Sequence, residues 1–390
     1  MIKIAFTADN HLNRYYAKMT ADQLARRRQR LREAWAKTVD YAIEKKCHLY
    51  LHGGDLFDMP NPRPSELVWV ARQFQRLREA GVEILAIGGT HDIPKMRTEG
   101  ATPQRIYDEV KVAHVFTKTT EVEFVTFEID SVTPAVGGLP PDPRLGRGDN
   151  PLKGVAIDPP DADIVLLLAH YGVEGTIHPE ANEPVLSKAS IAALKGVDYL
   201  LAGHVHQRQK MRIGDVRVLS PGPTERMTFG ELEVPTGFLY LEFSGKRRIR
   251  LRSQHVELEP QPMARLEIRT TDIPADDPTD YIFERVREIS NPNLLLQCRL
   301  VGPLTRQMYH DLRFFDIWRL GNELNFFFDL DRKGVYLKDE PHLSEGFSTE
   351  RVSPSQEIER VAEELAAEAD AEGRRLIEEA KELITKTLSE

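Results

Sequence analysis

The sequence predicts an α/β protein built on a largely parallel sheet with crossover helices. Its first 87 residues alternate strand, helix, strand, helix and strand, which is the pattern of βαβ units. Short polar motifs follow several of the strands, and ligands of such sheets collect at the carboxyl ends of strands. The chain has 390 residues, more than one hydrophobic core usually holds, so we expect two or three domains.

Apolar periodicity and turn signals place the elements of the first part of the chain. Thr20-Ala21-Asp22-Gln23 has the form of a capping box, and Gly81 is suited to ending a helix. The predicted order is a strand at 2–6, a helix at 20–44, a strand at 49–51, a helix at 65–80 and a strand at 82–87.

The rest of the chain continues this pattern and then restarts it. Strands are predicted near 122–129, 163–169, 198–202, 216–219, 238–243 and 247–252, with a Pro- and Gly-rich loop over 139–160. A small α+β unit follows, with a strand at 266–269, a helix at 279–289, a strand at 294–300 and a short helix at 305–315.

Asp9 and His11 lie where the first strand gives way to a loop. In an extended backbone, residues i and i+2 point to the same side. We therefore expect a carboxylate oxygen and an imidazole nitrogen to converge there on one point, which is half of a metal site.

Further Asp, His and Thr residues also lie just after predicted strands: Asp55, Thr90, His91, Asp92, His170, His204 and His206. Imidazole and carboxylate without thiolate suit manganese, iron, cobalt, nickel or zinc. Aspartates interspersed with histidines suit a two-metal site, and two ions roughly 3.5–4 Å apart activate phosphate esters toward hydrolysis. A lone His at a strand end is more often structural, and Gly-His-Val-His alone is also typical of a polar turn. Five such elements in order favour a dinuclear metal site and a phosphate ester substrate.

Composition sets the broad class. Hydrophobic residues make up 41% and charged residues 29%, as in a soluble globular protein, and the formal net charge of -9 does not indicate a nucleic-acid binder overall, although local basic patches can act within an acidic chain. Cys47 and Cys298 lack metal-ligand spacing and are expected to be free thiols. Without a leader or a membrane-length apolar run, the sequence predicts a cytoplasmic protein, associated with the nucleoid in a prokaryote.

The motifs Asp9-x-His11, Gly54-Asp55, Gly89-Thr90-His91-Asp92, His170 and Gly203-His204-x-His206 resemble the five signature motifs of the calcineurin-like metallophosphoesterase superfamily. The resemblance covers about the first 210 residues and implies a four-layer α/β/β/α sandwich. It implies one ion held by Asp9, His11, Asp55 and His206, and another held by Asp55, Thr90, His170 and His204. His91 would protonate the leaving oxygen or steady the transition state, and we group Asp92 with it as catalytic.

A finer resemblance points to one branch. Ser220 to Arg226, followed by Phe229-Gly230-Glu231, is similar to a segment of the SbcD-type DNA repair nucleases. This implies a nuclease domain at 1–255, a small α+β capping domain that binds DNA at 256–337, a linker at 338–356 and C-terminal helices at 357–390. It also implies manganese-dependent exonuclease and endonuclease activity, a homodimer, and docking of the C-terminal helices on an ABC-type coiled-coil ATPase of the SbcC kind.

Two positions depart from the family pattern. Thr90 stands where the superfamily has Asn, and a hydroxyl is a poorer neutral ligand than an amide oxygen, so we expect weaker binding of the second ion. Asp58 stands where the nuclease branch commonly has His. The enzyme is therefore expected to be slower than its relatives or differently tuned.

Basic side chains near the motifs are the candidates for DNA contact: Arg14, Arg26, Arg97 and Arg226, with Lys95 and the other arginines of the 20–44 helix. The arginines of that helix also fit a solvated helix face. The basic run 246–252 also fits an edge strand protected from aggregation. The apolar stripe of the C-terminal helices suits docking into a partner's groove, packing on the capping domain or self-association.

Three functions stay open at this point. The first is a two-metal DNA nuclease subunit. The second is a phosphatase or cyclic-nucleotide phosphodiesterase on the same core. The third is a catalytically weakened subunit that binds DNA or regulates an ATPase, which Thr90 favours and the intact aspartates and histidines oppose.

Overall fold

The computed structural model describes residues 1–94, 102–130, 132–177, 183–245 and 249–338, with isolated helical positions between 362 and 381. Lys95, Arg97, residues 246–248, the linker after Lys338 and nearly all of 357–390 lie outside the described residues. Every helix in the described ranges is too short or too polar to cross a bilayer.

The first sheet has six strands in the order β14-β13-β1-β2-β3-β4. Strands β1 to β4 run parallel, while β13 pairs antiparallel with β1 and β14 antiparallel with β13. The crossover helices are α1 (Ala21–Glu44), α2 (Pro64–Glu79) and α3 (Arg105–Glu109). The strands are β1 (Ile2–Thr7), β2 (Leu49–Gly53), β3 (Glu83–Ile87), β4 (His114–Phe116), β13 (Gly237–Ser244) and β14 (Arg250–Glu257).

The second sheet has the order β11-β12-β10-β7-β6-β5, with a parallel centre and antiparallel edges. A two-stranded ribbon, β8 (Gly172–Val173) with β9 (Val185–Leu186), and helix α4 (Lys188–Ala192) lie between its strands in sequence. The sheet strands are β5 (Glu123–Thr126), β6 (Pro134–Leu139), β7 (Ile164–His170), β10 (Tyr199–Gly203), β11 (Gln209–Ile213) and β12 (Val216–Ser220).

The two sheets pack face to face around one apolar layer. Leu51 of β2 and Leu168 of β7 belong to this shared cluster, and both are fully buried. Trp35 of α1 and Phe74 of α2 cover the other face of the first sheet. Ile191 of α4 and the loops before β7 cover the outer face of the second sheet. The layers therefore follow the predicted α/β/β/α order.

A separate three-stranded sheet follows. Its strands run parallel and are connected through helices, with a common core that includes Ile282 and Ile317. The elements are β15 (Met263–Arg269), α5 (Pro278–Ile289), β16 (Leu295–Leu304), α6 (Arg306–Asp311), α7 (Phe314–Leu324) and β17 (Phe327–Leu337).

Local signals predicted the longest elements best. Thr20 caps α1 with both hydrogen bonds of the capping box, and Gly81 takes a left-handed φ of 79° just beyond α2. The helix predicted at 305–315 was wrong in extent, because the chain breaks at Leu312 and continues as α7. Strand β17 was missed, as were β4, β6 and β11.

Taken as a group, the arginines of α1 form neither a solvated helix face nor a phosphate-binding face. Arg27 is fully buried against Glu225, and Arg28 is buried with its guanidinium on the carbonyls of Asn13 and Arg14. Arg32 donates two hydrogen bonds of 2.8 and 2.6 Å to the carboxylate of buried Glu66. Three of these cations are therefore part of the packing between elements.

Candidate metal centre

The loops after β1 and β2 are joined by backbone hydrogen bonds at the carboxyl edge of the first sheet. Asp9 N donates to Gly54 O at 3.0 Å, and His11 N donates to Asp55 O at 3.0 Å. His170 ends β7 and His204 follows β10, so the second sheet delivers its imidazoles to the same edge. The predicted meeting of motifs at strand ends is therefore observed.

The backbone at these positions is left-handed rather than extended. Asp9 has φ 54°, His11 φ 47°, Asp55 φ 54° and His204 φ 89°. The i, i+2 geometry of a strand was therefore the wrong reason for pairing Asp9 with His11, because β1 ends at Thr7. Non-glycine residues in this region carry backbone strain, and such strain clusters at functional sites.

Asp9, His11 and His206 form the first group of candidate metal ligands. Their ligand atoms all lie within 4.8 Å of one another. His11 Nε2 is 2.9 Å from His206 Nε2 and 3.8 Å from Asp55 Oδ2. The structure thus brings together the four residues that the resemblance implies for one ion, and Asp55 lies between this group and the next.

Asp55 and His170 form the second group with Asp9. His170 Nδ1 donates to Gly53 O at 2.7 Å, and its Nε2 lies 3.2 Å from Asp55 Oδ2. Burial disfavours the charged imidazole, but the Asp55 carboxylate outweighs it and raises the pKa of His170 to about 9. Burial acts against ionised Asp55 in turn, and His170 still holds the pKa of Asp55 well below its usual value.

His204 is held from two sides. Its backbone N donates to Asp9 Oδ1 at 3.0 Å, and its ring Nε2 pairs with Glu183 Oε2 at 2.8 Å. That hydrogen bond lowers the pKa of Glu183. The other ring nitrogen, Nδ1, is buried and makes no hydrogen bond.

His206 has a carboxylate partner of the same kind. Its Nδ1 lies 3.0 Å from Glu231 Oε1, and Glu231 Oε2 accepts from Met227 N at 2.5 Å. Burial lowers the pKa of His206, but the bond to Glu231 more than compensates and raises it above its ordinary value. Burial alone would raise the pKa of Glu231, but the hydrogen bond with His206 outweighs burial. The pKa of Glu231 is therefore lower than its ordinary value.

Asp58, His11 and His91 form a third group of possible ligands beside the first. Asp58 Oδ1 is 3.1 Å from His11 Nδ1 and accepts from Arg14 at 2.6 Å. His91 N donates to Asp55 Oδ1 at 2.8 Å, and its Nδ1 lies 3.3 Å from Asp58 O. Burial is the main cause that lowers the pKa of His91. Asp58, identified from the sequence only as a departure from the family pattern, is therefore part of the site and contacts His11.

Thr90 and Asp92 lie on either side of His91 in very different surroundings. Thr90 is exposed. Asp92 is fully buried and accepts backbone N–H groups from Gly89, Leu56 and Phe57 at 2.9 to 3.2 Å. Burial raises the pKa of Asp92 to about 7, with Asp55 adding to the rise. Asp92 therefore fixes the loops after β2 and β3, a positioning role, where the sequence had grouped it as catalytic.

Glu183 and Glu231 are the site residues that sequence reasoning missed. Each comes from a loop without periodicity, and each reaches a histidine of the same Gly-His-Val-His motif. Glu231 stood in the segment that resembles the nucleases, but no local signal assigned it a role. Glu183 had no signal in the sequence.

The three described candidates for DNA contact have partners within the chain. Arg14 binds Asp58 beside the metal-ligand groups, and Arg226 Nε donates to Val234 O at 3.1 Å. Arg26 is exposed, lies over the Phe326 ring at 5.0 Å and is 3.7 Å from Asp22. Of the three, only Arg14 lies in direct contact with the site.

The residues fit divalent cations. His204 Nδ1 is buried without a hydrogen bond, which is costly for an imidazole nitrogen unless a ligand binds it, and buried His170 Nε2 lies beside the Asp55 carboxylate. Nitrogen and oxygen donors without thiolate suit manganese, iron, cobalt, nickel and zinc. A two-sheet sandwich with this cluster at its strand ends defines a metal-dependent hydrolase of phosphate esters.

The chain belongs to the calcineurin-like phosphoesterase family, whose model matches residues 2–208. It is 27% identical over 303 residues to the DNA double-strand break repair protein Mre11 of Saccharolobus solfataricus, covering 76% of this chain and 74% of that protein. It is 26% identical to Mre11 of Haloferax volcanii, covering 77% of this chain and 62% of that protein.

Similar solved structures include more distant proteins. A dimetal phosphatase from Danio rerio shares 11% identity and a TM-score of 0.39, covering 66% of this chain and 98% of that one. This likeness is too distant to bear on substrate or mechanism.

Proposed function

We propose that this protein is a DNA nuclease subunit that hydrolyses phosphodiester bonds with two divalent metal ions. Manganese is the metal that we expect. The observation that carries the proposal is the convergence of the Asp9–His11–His206 and Asp55–His170 groups at one edge of the sandwich. When bound, such ions supply Lewis-acid activation of the phosphoryl group and of the attacking water.

The chain's own residues orient the substrate and supply the proton. His91 is 47% exposed, while its backbone N is fixed on Asp55 and its Nδ1 lies beside Asp58 O. An imidazole in this position can give a proton to the leaving oxygen, a role suited to histidine near neutral pH. Arg14, held by Asp58, offers a positive charge beside the site for a neighbouring phosphate.

DNA as the substrate is supported by relatives and by sequence. The two Mre11 relatives are DNA double-strand break repair proteins, and they align over about three quarters of this chain. The segment from Ser220 to Glu231 resembles the nuclease branch and supplies Glu231, the carboxylate on His206. These features favour a repair nuclease over a minimal phosphatase on the same core.

A second candidate function has one specific observation in its favour. Thr90 is exposed and lacks the amide oxygen of the family pattern, which would weaken one metal site. A catalytically weakened subunit that binds DNA or regulates an ATPase would follow from that weakening. A phosphatase or cyclic-nucleotide phosphodiesterase is the enzymatic alternative.

One assay separates these functions. Manganese-dependent cleavage of linear duplex DNA is measured beside hydrolysis of a chromogenic phosphodiester, for the wild type and for His91→Ala. We expect both activities in the wild type and a fall of about 10²–10⁴ in the variant. Activity on the small ester alone would favour the phosphodiesterase, and no activity on either substrate would favour the regulatory subunit.

We also propose the domain division and partners that the resemblance implies: a phosphoesterase domain at 1–255, a capping domain at 256–337, and C-terminal helices that dock on an ABC-type coiled-coil ATPase. The three-stranded sheet with its own core supports the second unit.

Removal of residues 357–390 is expected to abolish copurification with such an ATPase and leave hydrolysis of the small ester intact. Light scattering of the full chain is expected to give a homodimer.

A further inference from the structure

A cavity of about 340 Å³ lies between the phosphoesterase sandwich and the three-stranded sheet. Its walls are the segment from Arg14 to Met19 just after the first motif, the turn from Met227 to Phe229, and strand residues of the small sheet such as Met263 and Phe327. Its size is at the lower end of small-ligand pockets.

The floor of this cavity is apolar and well packed. Met19, Phe229 and Met263 pack on the buried cluster that contains Leu295 and Phe327. At the entrance, the Tyr15 ring is 60% exposed, although it is a large side chain with an apolar face. An exposed tyrosine in a cavity also lined by methionine and phenylalanine side chains suits a flat, apolar group rather than an ion.

Charged side chains line the rim of the cavity, and each of the two cations is paired with a carboxylate: Arg14 with Asp58, and Lys18 with Asp329, which also lines the cavity. Arg14 lines one side, and its guanidinium lies 5.5 Å from the centre of the Tyr16 ring. Lys18 lies on another side, with its Nζ 2.5 Å from Asp329 Oδ1 and its side chain 70% exposed. Arg14 has five N–H donors and gives one to Asp58, so a ligand for this cavity would combine a flat apolar face with an anionic group beside Arg14.

Two walls of the cavity are linked to candidate metal ligands, each through one carboxylate. On one side, Arg14 donates to Asp58, whose Oδ1 is 3.1 Å from His11 Nδ1. On the other side, Met227 N donates to Glu231, which holds His206. The cavity therefore adjoins the place where a scissile phosphate would lie.

We propose that this cavity takes an unstacked nucleobase of the strand whose phosphate enters the metal centre. The proposal rests on the proposed nuclease function and names its substrate more closely, as DNA with unpaired bases beside the cleaved bond. Bases stack on aromatic side chains in a sequence-tolerant way, and basic residues follow the phosphates between them. A free phosphate would leave Tyr15 and Phe229 unused, and a purely apolar ligand would leave Arg14 unused.

The test compares two DNA ligands that differ only in their bases. Both are duplexes with two unpaired nucleotides at one end, and in the second ligand these nucleotides are abasic and keep their phosphates. Binding is measured by fluorescence anisotropy, with Ca²⁺ in place of manganese to slow cleavage. We expect the wild type to bind the ligand with bases about tenfold more tightly, the effect of stacking one base.

Three variants locate the effect. Tyr15→Ala is expected to abolish the tenfold preference, while Tyr15→Phe, which keeps the ring, retains it. Tyr309→Ala removes a partly exposed tyrosine of the small unit and is expected to retain the preference as well. A wild type without the preference, or a preference that survives in Tyr15→Ala, would overturn the proposal.

The same measurements separate this proposal from the proposed function. A wild type that shows the base preference and yet fails to cleave DNA with manganese would contradict the nuclease function and leave the base site standing. Cleavage of DNA without any base preference would contradict the base site alone.

Discussion

Glu231 Oε1 lies 3.0 Å from Nδ1 of His206, and its other carboxylate oxygen accepts a hydrogen bond from the backbone N of Met227. The turn at Met227 thus fixes the carboxylate, and the carboxylate fixes the imidazole with Nε2 toward His11. Carboxylates in this position orient a metal-binding imidazole and raise its basicity.

Substitution of Glu231 is therefore expected to weaken metal binding. Glu231→Ala should lower manganese affinity by about 10–100-fold, and Glu231→Gln, which keeps an acceptor oxygen, by less. Titration calorimetry measures the affinity directly. Glu233→Gln, an exposed neighbour, is the matched control. An affinity in Glu231→Ala equal to that of the control would show that Glu231 does not position His206.

Gly89 permits the close approach of Asp55. A β-carbon at Gly89 would lie 2.2 Å from both the backbone N and Oδ1 of Asp55, which is too near for any real contact. Gly89→Ala is thus expected to displace Asp55 and to reduce manganese affinity by tenfold or more, measured by the same titration. Gly146→Ala, where the nearest atom is 4.0 Å away, should leave affinity unchanged.

Thr90 is the position at which restoration of the family residue should help. Thr90→Asn supplies an amide oxygen, a better neutral ligand, and is expected to raise both metal occupancy and the rate of phosphodiester hydrolysis. The occupancy is measured by elemental analysis after gel filtration. If metal content and rate both stayed at the wild-type level, the idea that Thr90 weakens one site would be wrong.

The ion pair between Arg27 and Glu225 is expected to dominate local stability. Both side chains are buried, with Arg27 Nη1 3.3 Å from Glu225 Oε2, and Arg27 also donates to Gln261 Oε1 at 3.0 Å. Arg27→Met would leave the Glu225 carboxylate buried without its partner, at a cost of about 3–5 kcal/mol in the free energy of unfolding. Urea denaturation followed by circular dichroism measures this value.

Arg30 provides the comparison for that experiment, because it is an exposed arginine of the same helix. Arg30→Met should change the free energy of unfolding by less than about 0.5 kcal/mol. Equal effects of the two substitutions would contradict a structural role for the buried pair.

Sequence reasoning predicted what local patterns encode. The capping box at Thr20 and the stop at Gly81 gave α1 and α2 to within a residue or two. The strand-end motifs also indicated which Asp and His residues meet, although the left-handed backbone at Asp9 and His11 replaced the extended geometry that had suggested the pairing.

Contacts between residues far apart in the sequence could not be predicted, because they leave no periodic pattern. Glu183 and Glu231 reach the two histidines of one motif from separate loops, and only the folded chain brings them there. The burial of Arg27 depends on Glu225, almost two hundred residues away. The sequence therefore suggested a surface helix, whereas two of its arginines, Arg27 and Arg28, are buried.

We propose that one edge of the sandwich holds two metal ions. Crystals soaked in manganese, measured for anomalous scattering, test it most directly. We predict two peaks roughly 3.5–4 Å apart, one beside Asp9, His11 and His206 and the other beside His170 and His204, with Asp55 between them. A single peak, or peaks away from these residues, would contradict the account.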